Sequence, residues 1–281
     1  MEIKMAFTAA DVKTLRESTG AGMLDCKKAL QDANGDIAEA EKILKEKGLA
    51  AMAKRTDRAA GEGRIVIKQE GNKVAMVEVV CETDFVANNP DFIQIAENAV
   101  EITLKNGNDE VNDAHKAAIE PALVKFRENI SVRRAACLTI PENASVGTYV
   151  HSDNKTGAIV IVEGSTADEV KTFAKDCCLH LAAFTPSYIT KADVPQSYID
   201  EQKEIFAAQM NADEKMASKP QNVKDGILQG KINKLVAESC FVEQAFVKDD
   251  KVSVEKKLEE VGKSVGAKLS FGKIVLFVLG K

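Results

Sequence analysis

The chain has 281 residues, 45% of them apolar and 29% charged, enough for two or three compact units without covalent staples. Thirty-eight basic against 43 acidic residues leave a net charge of −5, a field that does not favour nucleic acid, and with no Trp, three Tyr and three His the chain is poor in the stacking groups that single-strand binders use. No apolar run approaches the roughly 20 residues of a membrane span, the opening residues lack a signal peptide's pattern, and the six cysteines (Cys26, Cys81, Cys137, Cys177, Cys178, Cys240) form no Cys-x-x-Cys pair. The expectation is a cytoplasmic protein with reduced thiols, no metal or other cofactor, no membrane and no direct nucleic-acid contact, whose partner is a protein or a small ligand.

Thr8-Ala-Ala-Asp11 reads as a capping box, after which Val12, Leu15 and Arg16 begin a short helix that stops at Gly20. A second helix, residues 23–33, puts Met23, Cys26, Ala29 and Leu30 on one face; Asn34-Gly35-Asp36 ends it and caps a third that runs to Gly48. Three short helices in about fifty residues resemble the ubiquitin-associated type of module. A basic, Ala-rich connector follows, in which Lys54, Arg55 and Arg58, interleaved with Asp57, read as solvated rather than as an RNA-binding patch.

Two β-rich runs, 64–70 and 73–81, flank a Gly71-Asn72 turn. Asn89-Pro90 then opens a helix with Phe92, Ile95, Ala96, Ala99 and Val100 at core-facing spacing, followed by a polar helix and a strand at 131–140. The same order recurs: strands at 147–152 and 157–163 around Asp153-Asn154, then a helix carrying Val170, Ala174, Cys177, Cys178 and Leu181, capped by the box Thr166-Ala-Asp-Glu169. Gly63 aligns with Gly147, Ile67 with His151 and Val77 with Ile161 at a spacing of 84, whereas Phe92 with Val170 and Ala96 with Ala174 sit at 78. Six residues are therefore extra in the first copy, and they fall at Thr83, Asp84, Phe85, Val86, Ala87 and Asn88. The second copy has its own insertion, a helical hairpin from 195–216 and 220–236 with an apolar stripe of Ile205, Phe206, Met210, Ile227, Leu228, Ile232 and Leu235. A short helix at 254–261 and a strand at 268–279 close the chain. The fold class is α+β, and the divisions are 1–54 (three-helix module), 55–140 (first core half) and 141–281 (second core half, hairpin at 195–236).

Of the chemistry-bearing residues, the added segment at 83–88 says most, because the second copy folds without it. A Phe85 beside Asp84 in a surface connection has the composition of a binding wedge; the alternative is that Phe85 folds back onto its own sheet. Cys177, Cys178 and His180 lie within one helical turn but match no zinc pattern and read as core. His151, ending a strand, is a partner contact, a general base or an ordinary polar residue, and it has no carboxylate–serine companion to make it catalytic. No phosphate loop, dinucleotide fingerprint or nucleophile elbow is present.

Two strings carry a resemblance. Residues 12–30, Val-Lys-Thr-Leu-Arg-Glu-Ser-Thr-Gly-Ala-Gly-Met-Leu-Asp-Cys-Lys-Lys-Ala-Leu, with Asn34-Gly35-Asp36 after them, and residues 81–88, Cys-Glu-Thr-Asp-Phe-Val-Ala-Asn, resemble the two signatures of the elongation factor Ts family, and with the duplicated core and hairpin the likeness covers nearly the whole chain. The resemblance implies a guanine-nucleotide exchange factor acting by binding, not covalent catalysis, with the GTPase elongation factor Tu as partner. Thr83, Asp84, Phe85 and Val86 would press on the nucleotide-binding domain and disturb its Mg²⁺ site; Lys13, Arg16, Met23 and Leu24 would grip a helix of that domain. The second core half, with His151, would dock on another domain, and the hairpin would self-associate or meet the GTPase unless its stripe packs onto the parent core. Asn88 replaces the lysine of many relatives. The chain also stops after its last strand, where some members continue into a helical module, so that contact is expected to be absent or replaced. The rival readings are an adaptor that uses the three-helix module without exchange activity, and a small-molecule enzyme in the duplicated sheets.

Overall fold

In the computed structural model, which describes residues 7–53, 58–217 and 219–281, Thr8 opens the first helix as its spacing to Asp11 predicts. The Thr8 hydroxyl accepts from the Asp11 N–H, and the Asp11 carboxylate accepts from the Thr8 N–H at 2.6 Å. Helices α1 (Ala9–Thr19), α2 (Met23–Asp32) and α3 (Ile37–Ala53) enclose a small core of Leu15, Cys26, Ala29, Leu30, Ala40 and Leu44. Met23 departs from its predicted face: at the first turn of α2 its side chain is 48% exposed while Cys26, Ala29 and Leu30 are buried.

The described residues fall into two units. The first comprises residues up to 142 with 150–157 and 277–281; the second comprises 143–149 and 158–276.

In the first unit, β1 (Glu62–Glu70) and β2 (Lys73–Cys81) form the antiparallel hairpin that Gly71-Asn72 announces, followed by α4 (Asp84–Ala87), α5 (Pro90–Asn106), α6 (Asp113–Phe126) and β3 (Ser131–Thr139). Strand order is β1-β2-β3, so β2 is central and its apolar residues are buried on both faces. Phe92, Ile95, Ala96, Ala99 and Val100 of α5 cover Ala75, Val77, Val79 and Cys81, as their helical spacing requires. The three-helix bundle lies on α6: Val124 joins the bundle core, and Lys45–Glu120 and Arg127–Asp25 pair across the contact. This contact explains why α3 runs past Gly48. A Cβ there would press on the Val124 side chain, so the glycine lets two helices approach instead of ending one.

A register shift between Glu78 and Val79 leaves Arg133 bulged out of the β2–β3 ladder. Neighbouring residues on a regular strand point to opposite faces, but here both Arg133 and Arg134 reach the carboxylate of Glu78, at 3.5 and 2.6 Å. Glu78 is fully buried and also accepts the Gly280 N–H at 3.0 Å.

In the second unit, β4 (Ala144–Val150), β5 (Thr156–Glu163) and, after a long interval, β8 (Ser270–Val278) make a sheet in the order β4-β5-β8, the same hairpin-plus-returning-strand plan as the first sheet. Between β5 and β8 come α7 (Asp168–Phe184), α8 (Gln196–Ala212), α9 (Glu214–Ala217), α10 (Gln221–Ser239), the short pair β6 (Ala245–Phe246) and β7 (Asp249–Ser253), and α11 (Val254–Ser264). Helix α7 starts differently from its prediction. Ala167 is its N-cap, no side chain caps it, and the Ala167 N–H goes instead to the Ser165 hydroxyl at 3.2 Å. The β6–β7 pair is too short to leave a periodicity signal in the sequence. Gly63 and Gly147 align in the repeat but are glycine for different reasons. Gly63 adopts φ 147° against the backbone of β2, whereas a Cβ at Gly147 would run into the backbone of Ala174 on α7.

The hairpin arms are α8 and α10, with the first arm broken at Asp213. Their stripe is largely consumed locally: Phe206 packs with Val194, Tyr198, Ile199, Ile232, Val236 and Cys240, and Met210 is buried, while Ile205 faces out.

Cys177, Cys178 and His180 are all fully buried. Burial pushes the Cys178 thiol up to about 12 and Cys177 well above its ordinary value. The His180 ring lies between Phe184, Phe241 and Phe246. Its Nδ1 accepts the Val247 N–H at 3.2 Å, so its Nε2 donates to the Gln244 side-chain oxygen at 2.8 Å. The neutral ring thus ties β6 to α7.

Burial, only partly offset by Gln244, lowers the His180 pKa from 6.5. The unfolded chain therefore binds a proton first. His180's contribution to stability is complete above pH 6.5 and declines as pH falls below it, with a slope of at most about 1.4 kcal/mol per pH unit for one proton. His115, buried against Thr103, acts in the same direction in the first unit. Urea midpoints at pH 7.5 and 5.5 should show a drop in the wild type that is smaller in His180→Gln; an equal drop in both would remove His180 from the acid response.

Candidate functional site

Strand β2 ends at Cys81, whose buried thiol donates to the Thr83 carbonyl at 3.2 Å. Burial foremost, then the Glu128 charge, pushes this thiol up to about 12, so it is inert as a nucleophile. The chain then turns through α4, a single helical turn. Thr83 is its N-cap, its hydroxyl receiving the Val86 N–H at 3.4 Å, and the Ala87 and Asn88 N–H groups return to the carbonyls of Thr83 and Asp84. The Asn88 side chain adds a bond to the Asp84 carbonyl at 2.9 Å, and Asn89 immediately caps α5 with Pro90 at its first position.

This turn is two-faced. Val86 and Ala87 are buried in the first core, whereas Phe85 is 85% exposed and Asp84 is exposed beside it. Of the two readings open in the sequence, folding back is the one this geometry excludes: Phe85 stands out from the surface on a backbone anchored at both ends. The Ala87 carbonyl accepts from Arg64 at 3.3 Å. The Glu128 carboxylate accepts the N–H groups of Glu82 and Thr83 at 2.9 and 3.1 Å and the Thr83 hydroxyl at 2.6 Å. Glu82 in turn accepts the Asn129 N–H at 2.7 Å. Arg64 and Glu128 carry no motif and lie outside the added segment, and Glu82, although inside the 81–88 string, was assigned no role from the sequence; only the fold brings residue 128 to residues 82 and 83.

The tip at 150–157, part of the same unit, comes close to this turn. The Lys155 ammonium sits 2.7 Å from Glu62 and is held above its ordinary pKa by that hydrogen bond first, with Asp153 and Asp84 adding their charges. His151 is a turn residue, not the end of a strand: β4 stops at Val150, and the His151 ring meets Asp153 at 3.0 Å. The turn wins because the Asn154 N–H closes onto the His151 carbonyl at 2.8 Å.

Lys13, paired with Glu17 at 3.7 Å, and Arg16 are exposed on α1, while Leu24 is 74% exposed beside Met23 on α2. These four are exposed side chains, two cationic and two apolar, on elements separate from α4. Lys54, Arg55 and Asp57 lie outside the described residues. Arg58 is no free-standing basic residue: it pairs with Glu82 at 3.4 Å, and its carbonyl receives the Asn129 side chain at 2.9 Å. Among the described residues, no group of three or more His, Cys, Asp or Glu side chains is placed to hold a metal ion, and no helix is long and apolar enough to cross a membrane.

A sequence profile of the family described as Elongation factor TS matches residues 82–281. Proteins named Elongation factor Ts are similar along nearly the full length: that of Treponema denticola is 48% identical, with 98% of this chain and 99% of the relative covered. The Treponema pallidum (strain Nichols) protein is 45% identical over 98% of this chain and 99% of its own length, and that of Clostridium acetobutylicum 36% identical over 98% and 92%. With a profile covering most of the chain and relatives this similar from end to end, the chain belongs to the elongation factor Ts family.

Proposed function

We propose that this translation elongation factor is a guanine-nucleotide exchange factor that binds GDP-bound elongation factor Tu, disturbs its Mg²⁺ site and releases GDP. The observation that carries this reading is the exposed Phe85 on α4, a turn present in only one of two copies of the core and hydrogen-bonded at both ends. The role needs no covalent chemistry. A factor that binds the nucleotide-free GTPase more tightly than the GDP form weakens GDP binding by the same factor. Mg²⁺ is a sensitive target, because it bridges protein oxygens and phosphates in a strict octahedral shell, so a small displacement of its ligands uncovers the phosphate charge.

Phe85 supplies the apolar insertion and Asp84 a charge that competes for nearby cations. Burying one Phe is worth about 1.5–3 kcal/mol, a bias of roughly ten- to a hundredfold. The remainder of the coupling comes from the wider docking surface, to which Lys13, Arg16, Met23 and Leu24 contribute on the bundle and His151 on the tip. The deciding experiment follows release of labelled GDP from purified elongation factor Tu with and without this protein. Acceleration that rises with factor concentration to a plateau is the expected result. Binding to the GTPase without acceleration would leave an adaptor, and neither binding nor acceleration would sink the reading altogether.

A further inference from the structure

Phe85 makes no contact that fixes its own direction, since it is exposed; its aim is set by the backbone of residues 82–87. Three attachments hold that backbone. Val86 and Ala87 are sunk in the core, Arg64 binds the exit at the Ala87 carbonyl, and the entry is held by Glu128. The entry differs from the other two because one carboxylate takes three donors from two consecutive residues, the N–H of Glu82 and the N–H and hydroxyl of Thr83. The next residue along, Asn129, gives its N–H back to Glu82, so two acidic side chains cross between the connecting segments and each accepts from the other segment's backbone.

We infer that Glu128 is the positioning residue of the exchange wedge, with Glu82 as its reciprocal partner; this rests on the exchange reading above. A fold needing only closure of the β2–α5 connection does without this clasp: in the second copy, β5 passes to α7 with neither a counterpart of α4 nor a side-chain cap. What the clasp adds is stiffness. A wedge pressing on a partner loses its effect when its own base yields, because the contact energy then deforms the wedge and not the nucleotide site. Removing Glu128 would free the N-cap Thr83 from one side, while the buried Val86 and Ala87 keep the segment attached.

The prediction separates positioning from stability and from docking. In a titration of factor against GDP-loaded elongation factor Tu, Glu128→Ala should lower the plateau rate of GDP release about tenfold while the half-saturating concentration stays within about twofold. Glu128→Gln should recover most of the rate. Its amide oxygen still accepts both N–H groups, and the Thr83 hydroxyl can turn to accept from the new NH₂. In the free protein, amide exchange at residues 83 and 86–88 should quicken in the alanine variant and stay slow in the glutamine variant. A plateau unchanged in Glu128→Ala, a loss confined to the half-saturating concentration, or unaltered amide exchange would each overturn the assignment. If the alanine variant unfolds, the glutamine variant decides by the same plateau and exchange measurements, and a glutamine variant as impaired as an unfolded one would overturn it as well. Absence of stimulation by the wild type is a different result, one that removes the exchange reading itself, with the amide-exchange comparison still testing the clasp.

Discussion

Phe85→Ala should leave the fold as stable as the wild type, within about 0.5 kcal/mol, and yet reduce stimulated GDP release by about ten- to a hundredfold. The stability half follows from exposure: at 85% exposed, Phe85 contributes almost nothing to either core, and removing it leaves no cavity. Phe92, seven residues on and fully buried, is the internal contrast, since its replacement by Ala should cost about 3–5 kcal/mol. The activity half follows from linkage. If Phe85 is buried only when the nucleotide site is disturbed, its loss leaves the first encounter with the GDP-bound partner intact and lowers the affinity for the nucleotide-free partner by the factor lost in exchange. Urea denaturation, titration of both partner forms and stopped-flow GDP release test the three parts. Equal losses of affinity for the two partner forms would show Phe85 to be an ordinary docking residue.

What made Phe85 legible in advance was the repeat. Six residues that one copy has and the other lacks cannot be demanded by the shared architecture, and α4 occupies four of them. Periodicity served equally well for α5, where Phe92, Ile95, Ala96, Ala99 and Val100 are all buried as their spacing requires. It failed where two signals compete. Gly48 has the chemistry of a helix stop but is there for a close helix approach, and Met23 shares a helical face with Cys26 by spacing but sits on the first turn, beyond the bundle's edge. His151 fell outside its predicted strand because the alternating pattern does not record where a turn's own hydrogen bonds take over. The clasp of Glu82 and Glu128 was illegible for a different reason: contacts between backbone N–H groups and carboxylates 46 residues apart leave no periodic trace.

The second copy also poses a question about Glu78. At the spacing of 84 that aligns the β-hairpins, its counterpart is Val162, fully buried and apolar, so the architecture has an uncharged solution at this place. The first copy instead buries a carboxylate, and the bulge at Glu78 and Val79 brings it two arginines. Arg134 goes further, donating to the Val278 carbonyl at 2.9 Å with its guanidinium 4.1 Å from the Phe277 ring, while Gly280 donates to Glu78 itself. The charge cluster therefore fastens the last residues of the chain, and the side chain that completes it is the one with no access to water.

Removing it should be expensive. Glu78→Ala leaves two guanidinium groups without their shared anion, orphans the Gly280 N–H and opens a void, and loss of one partner from a buried ion pair costs about 3–5 kcal/mol. Both arginines are partly exposed and can turn toward water, which places the expected loss near about 3 kcal/mol. Glu78→Val, although it copies the second half of the molecule, should be nearly as harmful, because the arginines remain; only with Arg133 and Arg134 also made apolar would the uncharged solution be restored. Chemical denaturation gives the magnitude, and amide exchange at Gly280 gives the location. A variant that keeps Gly280 protected and loses less than about 1 kcal/mol would show that the terminal residues are held by Phe277 and the strand alone, with the buried charge doing nothing that a valine could not.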